Sequence, residues 1–328
     1  MNERRNRSGV IRDGYPTNYV RHDMKAAPHA APPRIARLGG QRHVLEVPDA
    51  ALQLAQLQGW RVLNPSVVSA MTDRLLVGLR CHAPRQWHSG HGNAYLLGEV
   101  ARDWTLQGAW LLKDVHVEDL RLFTWGKQLC ALGTDTGPYG MPRAQYVPSM
   151  TLLRFEQEHR LLSSTKLSSQ HFEKNWMPSG SRDGRLRLVY RCQPLVVLDV
   201  DGEKVSPSAA EAFARAGHPA QRIGDGARGS SALLPWGTSG YIAVTHERDT
   251  TVPLTVYTHR FALFDEGLTR VELGPPFVFE HEGIEFCAGL AFWQQKWVLS
   301  YGQEDQSARL AVLDQAQLEA FLPAWRPS

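Results

Sequence analysis

Long hydrophobic runs are missing from this 328-residue chain. The longest, residues 195–198 and 288–293, fall far short of the roughly 20 apolar residues that carry a helix across a bilayer, so no membrane span is expected. No apolar core follows the basic start MNERRNRSGV, which argues against a secretory leader and for a cytoplasmic protein. Cysteine is scarce: Cys81, Cys130, Cys192 and Cys287 are far apart and lie in or beside strand-like sequence, which suits buried free thiols better than a disulfide framework. The one crowded set of metal-type side chains, Cys81, His82, His88 and His91, lacks the short ligand pairs of a structural zinc site, so no metal and no cofactor is expected. Charge of one sign is also in short supply. The net charge is +3, with residues 1–42 carrying a local +6 and the rest about −3. That basic segment has few aromatics beyond Tyr15 and Tyr19 and no legible recognition helix, so nucleic acid is not the expected partner.

What is present is a repeat. Polar openings occur at Asn64-Pro65, Glu118-Asp119, Lys174-Asn175, Arg228-Gly229 and Glu285-Phe286, at intervals of 54, 56, 55 and 56 residues. About a dozen residues after each comes a short apolar, β-rich stretch: 75–79, 129–132, 186–190, 241–244 and 297–301. A period near 50 with strands in fixed phase predicts a radial array of small sheets, an all-β five-bladed β-propeller. Polar residues that begin innermost strands converge at the mouth of such a ring. The segment before Asn64 is expected to supply a strand that closes the circle with the last repeat, removing the open edges.

The proline-rich AAPHAAPP at 26–33 cannot hold a long helix or a central strand. We therefore expect a basic N-terminal extension over 1–48 and the propeller over 49–328. Asp49 predicts a capped helix through about Gln58, ended by Gly59. SPSAAEAFARAG, from Ser206 with Pro207 at the first helical position and a closing Gly217, predicts a helical insertion near 207–217. Residues 314–321 suggest a short packing helix.

The sharpest chemical segment is VHVEDLRLF. Strand alternation sends Glu118 and Leu120 to one face, and Asp119 and Arg121 to the other, where carboxylate and guanidinium share a space. Arg121 would keep Asp119 ionised, whereas burial beside another carboxylate would protonate it, as a proton donor requires. In FEKNWMP, Lys174 can neutralise a phosphate or carboxylate, Asn175 can bind a hydroxyl, and Trp176 can stack on a sugar or fill the core. Further cationic or titratable groups are His246, His259 and Arg260, and Glu304 and Asp305 follow a strand where a loop carboxylate can grip sugar hydroxyls.

This ordered set resembles the family 130 glycoside hydrolases and phosphorylases, five-bladed propellers that act mainly on β-mannosides. The resemblance covers about 64–314. Asn64-Pro65 resembles the family's opening sugar-contact segment, and EDLR at 118–121 its EDPR motif, in which the aspartate is the general acid. Lys174-Asn175-Trp176, Arg228-Gly229, His246 and YGQED (Tyr301 to Asp305) follow in the family's order. The resemblance implies Asp119 as general acid, with Asn64, Arg121, Lys174, Asn175, Trp176, Arg228, His246, Tyr301 and Asp305 as substrate contacts, to which the cationic patch at His259 and Arg260 adds two further candidate substrate-binding residues. It also implies an oligosaccharide, glycoside or sugar phosphate as ligand, and inorganic phosphate as co-substrate. In such a phosphorylase, phosphate attacks the anomeric carbon with inversion, while the acid delivers its proton through a sugar hydroxyl. Hydrolysis by inversion needs a second carboxylate to activate water, for which Glu118, Glu247 and Glu285 are candidates. The chain departs from the pattern at Leu120, at Ala232-Leu233, and between Thr134 and Phe172, where the arginine-containing phosphate segment has no counterpart. A glycosyltransferase using another donor, an inverting hydrolase and a non-catalytic sugar binder therefore stand beside the phosphorylase.

Overall fold

The computed structural model describes residues 35–70, 73–83, 92–135, 137, 148–156, 160–168, 173–180, 183–202, 204–215, 226–249 and 255–327. The fold is all-β and propeller-like, with few helices. Each repeat becomes one sheet. The first is an antiparallel meander of Arg61–Ser69, Leu75–His82, Asn93–Val100 and Leu106–Leu112. The second runs through Glu118–Trp125, Gln128–Asp135, Ser149–Glu156 and Arg160–Lys166. The third holds Met177–Gly180, Leu186–Cys192, Leu195–Asp201 and Lys204–Ser206. In the last, Glu285–Trp293, Lys296–Gln303 and Ser307–Leu313 are joined by Gln41–Val44.

The repeat between these last two is irregular. Its sheet has seven strands: Arg228–Gly229 and Leu234–Trp236 both pair with Gly240–Asp249, Val256–Asp265 carries Val271–Leu273 and Phe277–Val278, and Ala36–Arg37 adds the seventh beside Phe277–Val278. Five equal blades were expected; the structure has four regular four-stranded sheets and this broken, wider one. The polar openings lie within, at the start of or just before first strands, and the apolar stretches lie in inner strands that are flanked on both sides and therefore buried.

Chain closure also comes from upstream. Gln41–Val44 pairs antiparallel with the outer strand of the last sheet, Gln41 opposite Val312 and Val44 opposite Arg309. Ala36–Arg37 pairs in parallel with Phe277–Val278. The sheet array thus begins before the boundary expected at residue 49, because these backbone groups satisfy two strand edges that would otherwise be open. The rest of the basic extension, residues 1–34, lies outside the described residues, as do His88 and His91.

Apolar residues collect in clusters between neighbouring sheets. Val68, Leu76 and Tyr95 meet Leu120, Leu122 and Leu153 between the first and second. Leu132, Met150 and Leu152 meet Trp176, Leu186 and Leu188 between the second and third. Met177 and Val189 meet Tyr241 and Ala243 between the third and fourth. Val244, Phe261 and Phe277 meet Leu290, Leu299 and Tyr301 between the fourth and last, and Val298 and Ala291 meet Val67 and Val77 between the last and first. Face-to-face packing of this kind is the main apolar burial of the fold. Cys81, Cys130, Cys192 and Cys287 are buried free thiols, each pushed up to about 12 by burial.

The helices are shorter than the sequence suggests. Asp49–Leu54 stops well before Gly59, and its N-cap is Pro48, with no side-chain cap. The insertion is Ala209–Arg215, entered through Ser208, whose hydroxyl accepts from the Glu211 N–H at 3.3 Å while Glu211 accepts from the Ser208 N–H at 2.8 Å. Asp314 caps Gln315–Glu319 with a capping box to Gln317. No described helix is long and apolar enough to cross a membrane.

Candidate active site

Three of the polar openings share a backbone device. Asn64, Asp119 and Asn175 all have positive φ, at 43°, 52° and 68°. Asn and Asp tolerate this left-handed region better than most residues, because a short polar side chain can hydrogen-bond locally. At Asn64 and Asp119 the conformation coincides with register shifts, between Leu63 and Ser66 and between Glu118 and Arg121. A bulge re-aims the side chains beside it. That overturns the strict alternation expected for 118–121: Glu118 and Asp119 both reach Lys174, at 2.9 and 3.1 Å.

Close packing holds these openings together. A Cβ at Gly302 would fall on the Asn64 side chain, and one at Gly229 on Met177 and the Asn175 carbonyl. Only glycine admits such an approach.

The Asp119 carboxylate is the centre of the cluster. It accepts from Asn64 Nδ2 at 3.1 Å and Arg80 Nη1 at 2.8 Å on one oxygen, and meets Lys174 Nζ on the other. The residue is 4% exposed. Burial alone would raise its proton affinity, but Lys174, Arg80 and Arg121 outweigh that and hold it well below the usual carboxylate range. Lys174 is raised by the same pairing: burial opposes its charge, and Asp119 and Glu118 overcome it. Arg80 also donates through Nε to Asn93 Oδ1 at 2.9 Å, which fixes the plane of its guanidinium.

Arg121 lies beneath the cluster rather than in it. Its nitrogens donate to the Ser230 carbonyl at 2.8 Å, the Asp119 carbonyl at 2.8 Å, Asn175 Oδ1 at 2.8 Å and the Gly229 carbonyl at 3.0 Å. It is fully buried and tied to backbone, so it is a strut between sheets and not the ligand-facing cation expected for it.

His246 lines the cluster from the fourth sheet. Its Nδ1 is 2.9 Å from the Ser230 hydroxyl and its ring stands edge-on to Phe286. Burial, then His259, Arg121, Arg228 and Lys174, push it well below the usual histidine range, so it is a neutral hydrogen-bonding group. Arg228 is paired in register with His246. Asp305 sits on the exposed turn after Lys296–Gln303, with Glu304 and Asp305 at φ 53° and 50°. Loss of water around its carboxyl, and then the Asp119 charge, raise it above the ordinary range.

Other candidates have structural roles. Trp176 is core, its indole donating to Glu173 Oε2 at 3.2 Å. His259 is fully buried against Phe277 and Phe279, and burial lowers it to about 3, so it supplies no positive charge. Arg260 holds Glu247 at 3.1 Å and the Gly274 carbonyl at 2.9 Å. Tyr301 stacks on Phe279 at 4.0 Å and donates to Glu280. Glu285 accepts from the N–H groups of Phe279, Glu280 and His281 at 2.6, 2.9 and 3.2 Å, clamping that loop. Its place at the start of a first strand followed the repeat, but its carboxylate is spent on backbone.

Sequence reasoning missed Arg80, Asn93 and Tyr257. Arg80 had a signal: a lone cation inside the apolar run LLVGLRC, which must find an anion if that strand is buried. Tyr257 is half-buried, 5.8 Å from the His246 ring and 6.1 Å from Phe286, and it senses the charges of Lys174, Asp119 and Asp305.

Glu173, next to Lys174, offers a stability test. Burial pushes its carboxyl from 4.5 up to about 7 despite hydrogen bonds from Trp176 and the Tyr190 hydroxyl, both at 3.2 Å. An acid raised in the folded state contributes stability below its unfolded value, and that contribution is lost as pH rises through about 7. Glu173→Gln retains an acceptor for Trp176 and cannot ionise. It is expected to be more stable than wild type at pH 8 by on the order of 1–3 kcal/mol, with the gap closing by pH 5. Urea midpoints at the two pH values check this.

No family model and no curated protein matches the chain. Among solved structures, a mannose phosphorylase from Leishmania mexicana, in complex with a phosphate ion, is similar over 89% of this chain and 93% of its own, with TM-score 0.60 and 14% identity. A GDP-Man-dependent mannosyltransferase from the same organism is similar over 84% and 89%, with TM-score 0.58 and 14% identity. A structure reported for the GH130 family of mannoside phosphorylases, which contains hydrolases that target β-1,2 mannosidic linkages in Candida mannan, covers 82% and 86%, with TM-score 0.56 and 13% identity. At such identities the likeness establishes the shared fold.

Proposed function

We propose that this protein is a carbohydrate-active enzyme, an inverting glycoside phosphorylase for a β-mannoside or related β-glycoside, with the irregular fourth sheet serving as the fifth blade of its ring. The observation that carries the reading is the Asp119 carboxylate, at the opening of the second repeat, gripped by Asn64 and Arg80 from the first repeat and by Lys174 from the opening of the third. Asp119 is the general acid toward the departing sugar oxygen. Lys174 and Arg80 hold the phosphate, and Asn64, Asn175 and Asp305 bind hydroxyls. His246 takes part as a neutral donor or acceptor, and Tyr257 offers a sugar face a stacking surface.

Hydrolysis is less well supported. Glu247 is bound to Arg260, Glu285 to backbone, and Glu118 to Lys174, so none of the three stands ready to activate water. A transferase with a different donor is the second reading, favoured by the likeness to the mannosyltransferase over most of both chains. Both reactions move a glycosyl group between a phosphate oxygen and a hydroxyl, and both need a cationic pocket beside an acid.

The test is a panel of β-mannosides and related β-glycosides incubated with and without inorganic phosphate. Phosphate-dependent release of a sugar 1-phosphate is expected. Transfer from a nucleotide sugar alone would favour the second reading, and sugar binding with no turnover of any donor would overturn both.

A further inference from the structure

Every positive charge placed around Asp119 already has a protein partner. Lys174 Nζ is shared between Glu118 and Asp119, Arg80 Nη1 lies 2.8 Å from Asp119 and 3.8 Å from Glu118, and Arg121 is spent largely on carbonyl oxygens. Lys174 and Arg80 balance Glu118 and Asp119 charge for charge. A dianion entering this set would face two carboxylates at contact range, an arrangement of like charges that a low-dielectric site penalises heavily. Protonating the more buried carboxylate relieves it.

We infer that Asp119 and an incoming oxyanion compete for Lys174 and Arg80, so that anion binding and proton uptake by Asp119 are a single coupled event. The inference rests on the phosphorolytic reading and adds a regulation to it. The acid cannot carry its proton while the anion position is empty, and arrival of the anion arms it.

The groups that face Asp119 define the alternatives. They are Arg80 from Leu75–His82, Tyr95 from Asn93–Val100, Glu118 and Arg121 on its own strand, Lys174 before Met177–Gly180, Tyr257 from Val256–Asp265, and Asp305 on its turn, with His246 in electrostatic reach of Lys174. Of these, Asp119, Asp305 and His246 are the groups that could carry a coupled proton. Asp119 and Glu118 both share Lys174 and Arg80, and Asp119 is the one that would lose both partners while buried, its side chain 5% exposed against 27% for Glu118.

Sulfate is the probe, since it stays a dianion near neutrality and adds no titration of its own. Its affinity for the full chain, measured by calorimetry at several values between roughly pH 4 and 7, is expected to tighten by up to about tenfold per pH unit lowered, the slope of one coupled proton. Asp119→Asn removes the competing charge, so it should bind sulfate more tightly than wild type at pH 7 and lose the slope. Glu118→Gln should also tighten binding but keep the slope. A flat wild-type profile, no sulfate binding by either wild type or Asp119→Asn, or a slope that survives in Asp119→Asn because His246 or Asp305 carries it, overturns the inference. Sugar 1-phosphate release alongside a flat profile would leave the phosphorolytic reading intact. A sloped profile with no turnover would uphold the coupling and remove that reading.

Discussion

Asp119→Asn is expected to lower turnover of an unactivated β-glycoside by about 10³-fold while leaving the fold intact. The substitution is isosteric, and the new amide oxygen can still accept from Asn64 Nδ2, which now donates at 3.1 Å. What is lost is the dissociable proton. The diagnostic is the leaving group: a substrate whose aglycone departs without protonation, such as a nitrophenyl glycoside, should recover most of the lost rate. A mere loss of site geometry would slow both substrates equally. If activity on the unactivated substrate survives within a few-fold, Asp119 is not the acid, and its ion pairs with Arg80 and Lys174 are structural.

Arg121→Met is expected to be the most destabilising change at this end of the molecule, by about 3–5 kcal/mol. Arg121 reaches from the second sheet to Asn175 ahead of the third and to Gly229 and Ser230 in the fourth, and it is fully buried. Methionine fills much of the volume but leaves three carbonyl oxygens and the Asn175 Oδ1 without donors, each a buried polar group with no access to water. Lysine is not a substitute, because a single ammonium cannot span partners spread around a planar fork. Equilibrium urea denaturation measures the loss, and a value under about 1 kcal/mol would mean that the strut contributes no more than a surface ion pair.

These two residues show how far the sequence could be read. The repeat phase made Asp119 and Lys174 candidates for one site, because matched positions in a radial array face a common axis, and the two side chains do meet at 3.1 Å. The same phase put Glu285 forward, and the family resemblance put Tyr301 forward. Glu285 clamps the loop at 279–281 and Tyr301 packs on Phe279, roles that depend on how one particular loop folds back. Strand alternation failed for 118–121 because a bulge inserts an extra residue, and a bulge is not encoded in the alternation it interrupts.

By itself, then, the chain's hydrophobic periodicity determined that short strands would assemble into serial sheets, which polar segments would open them, and that no described helix would carry the core. Periodicity can do this because burial on a pleated strand depends on near neighbours in sequence. Only the tertiary structure decided that Arg121 would be a strut while Arg80 joined Asp119, that His259 would be neutral core, and that Ala36–Arg37 would join the fourth sheet, whereas the closing strand before Asn64, Gln41–Val44 on the last sheet, was expected from the repeat. Those outcomes turn on the few ångströms separating charged atoms from different repeats. Electrostatics in a buried site is set by such distances, and no local pattern of residues specifies them.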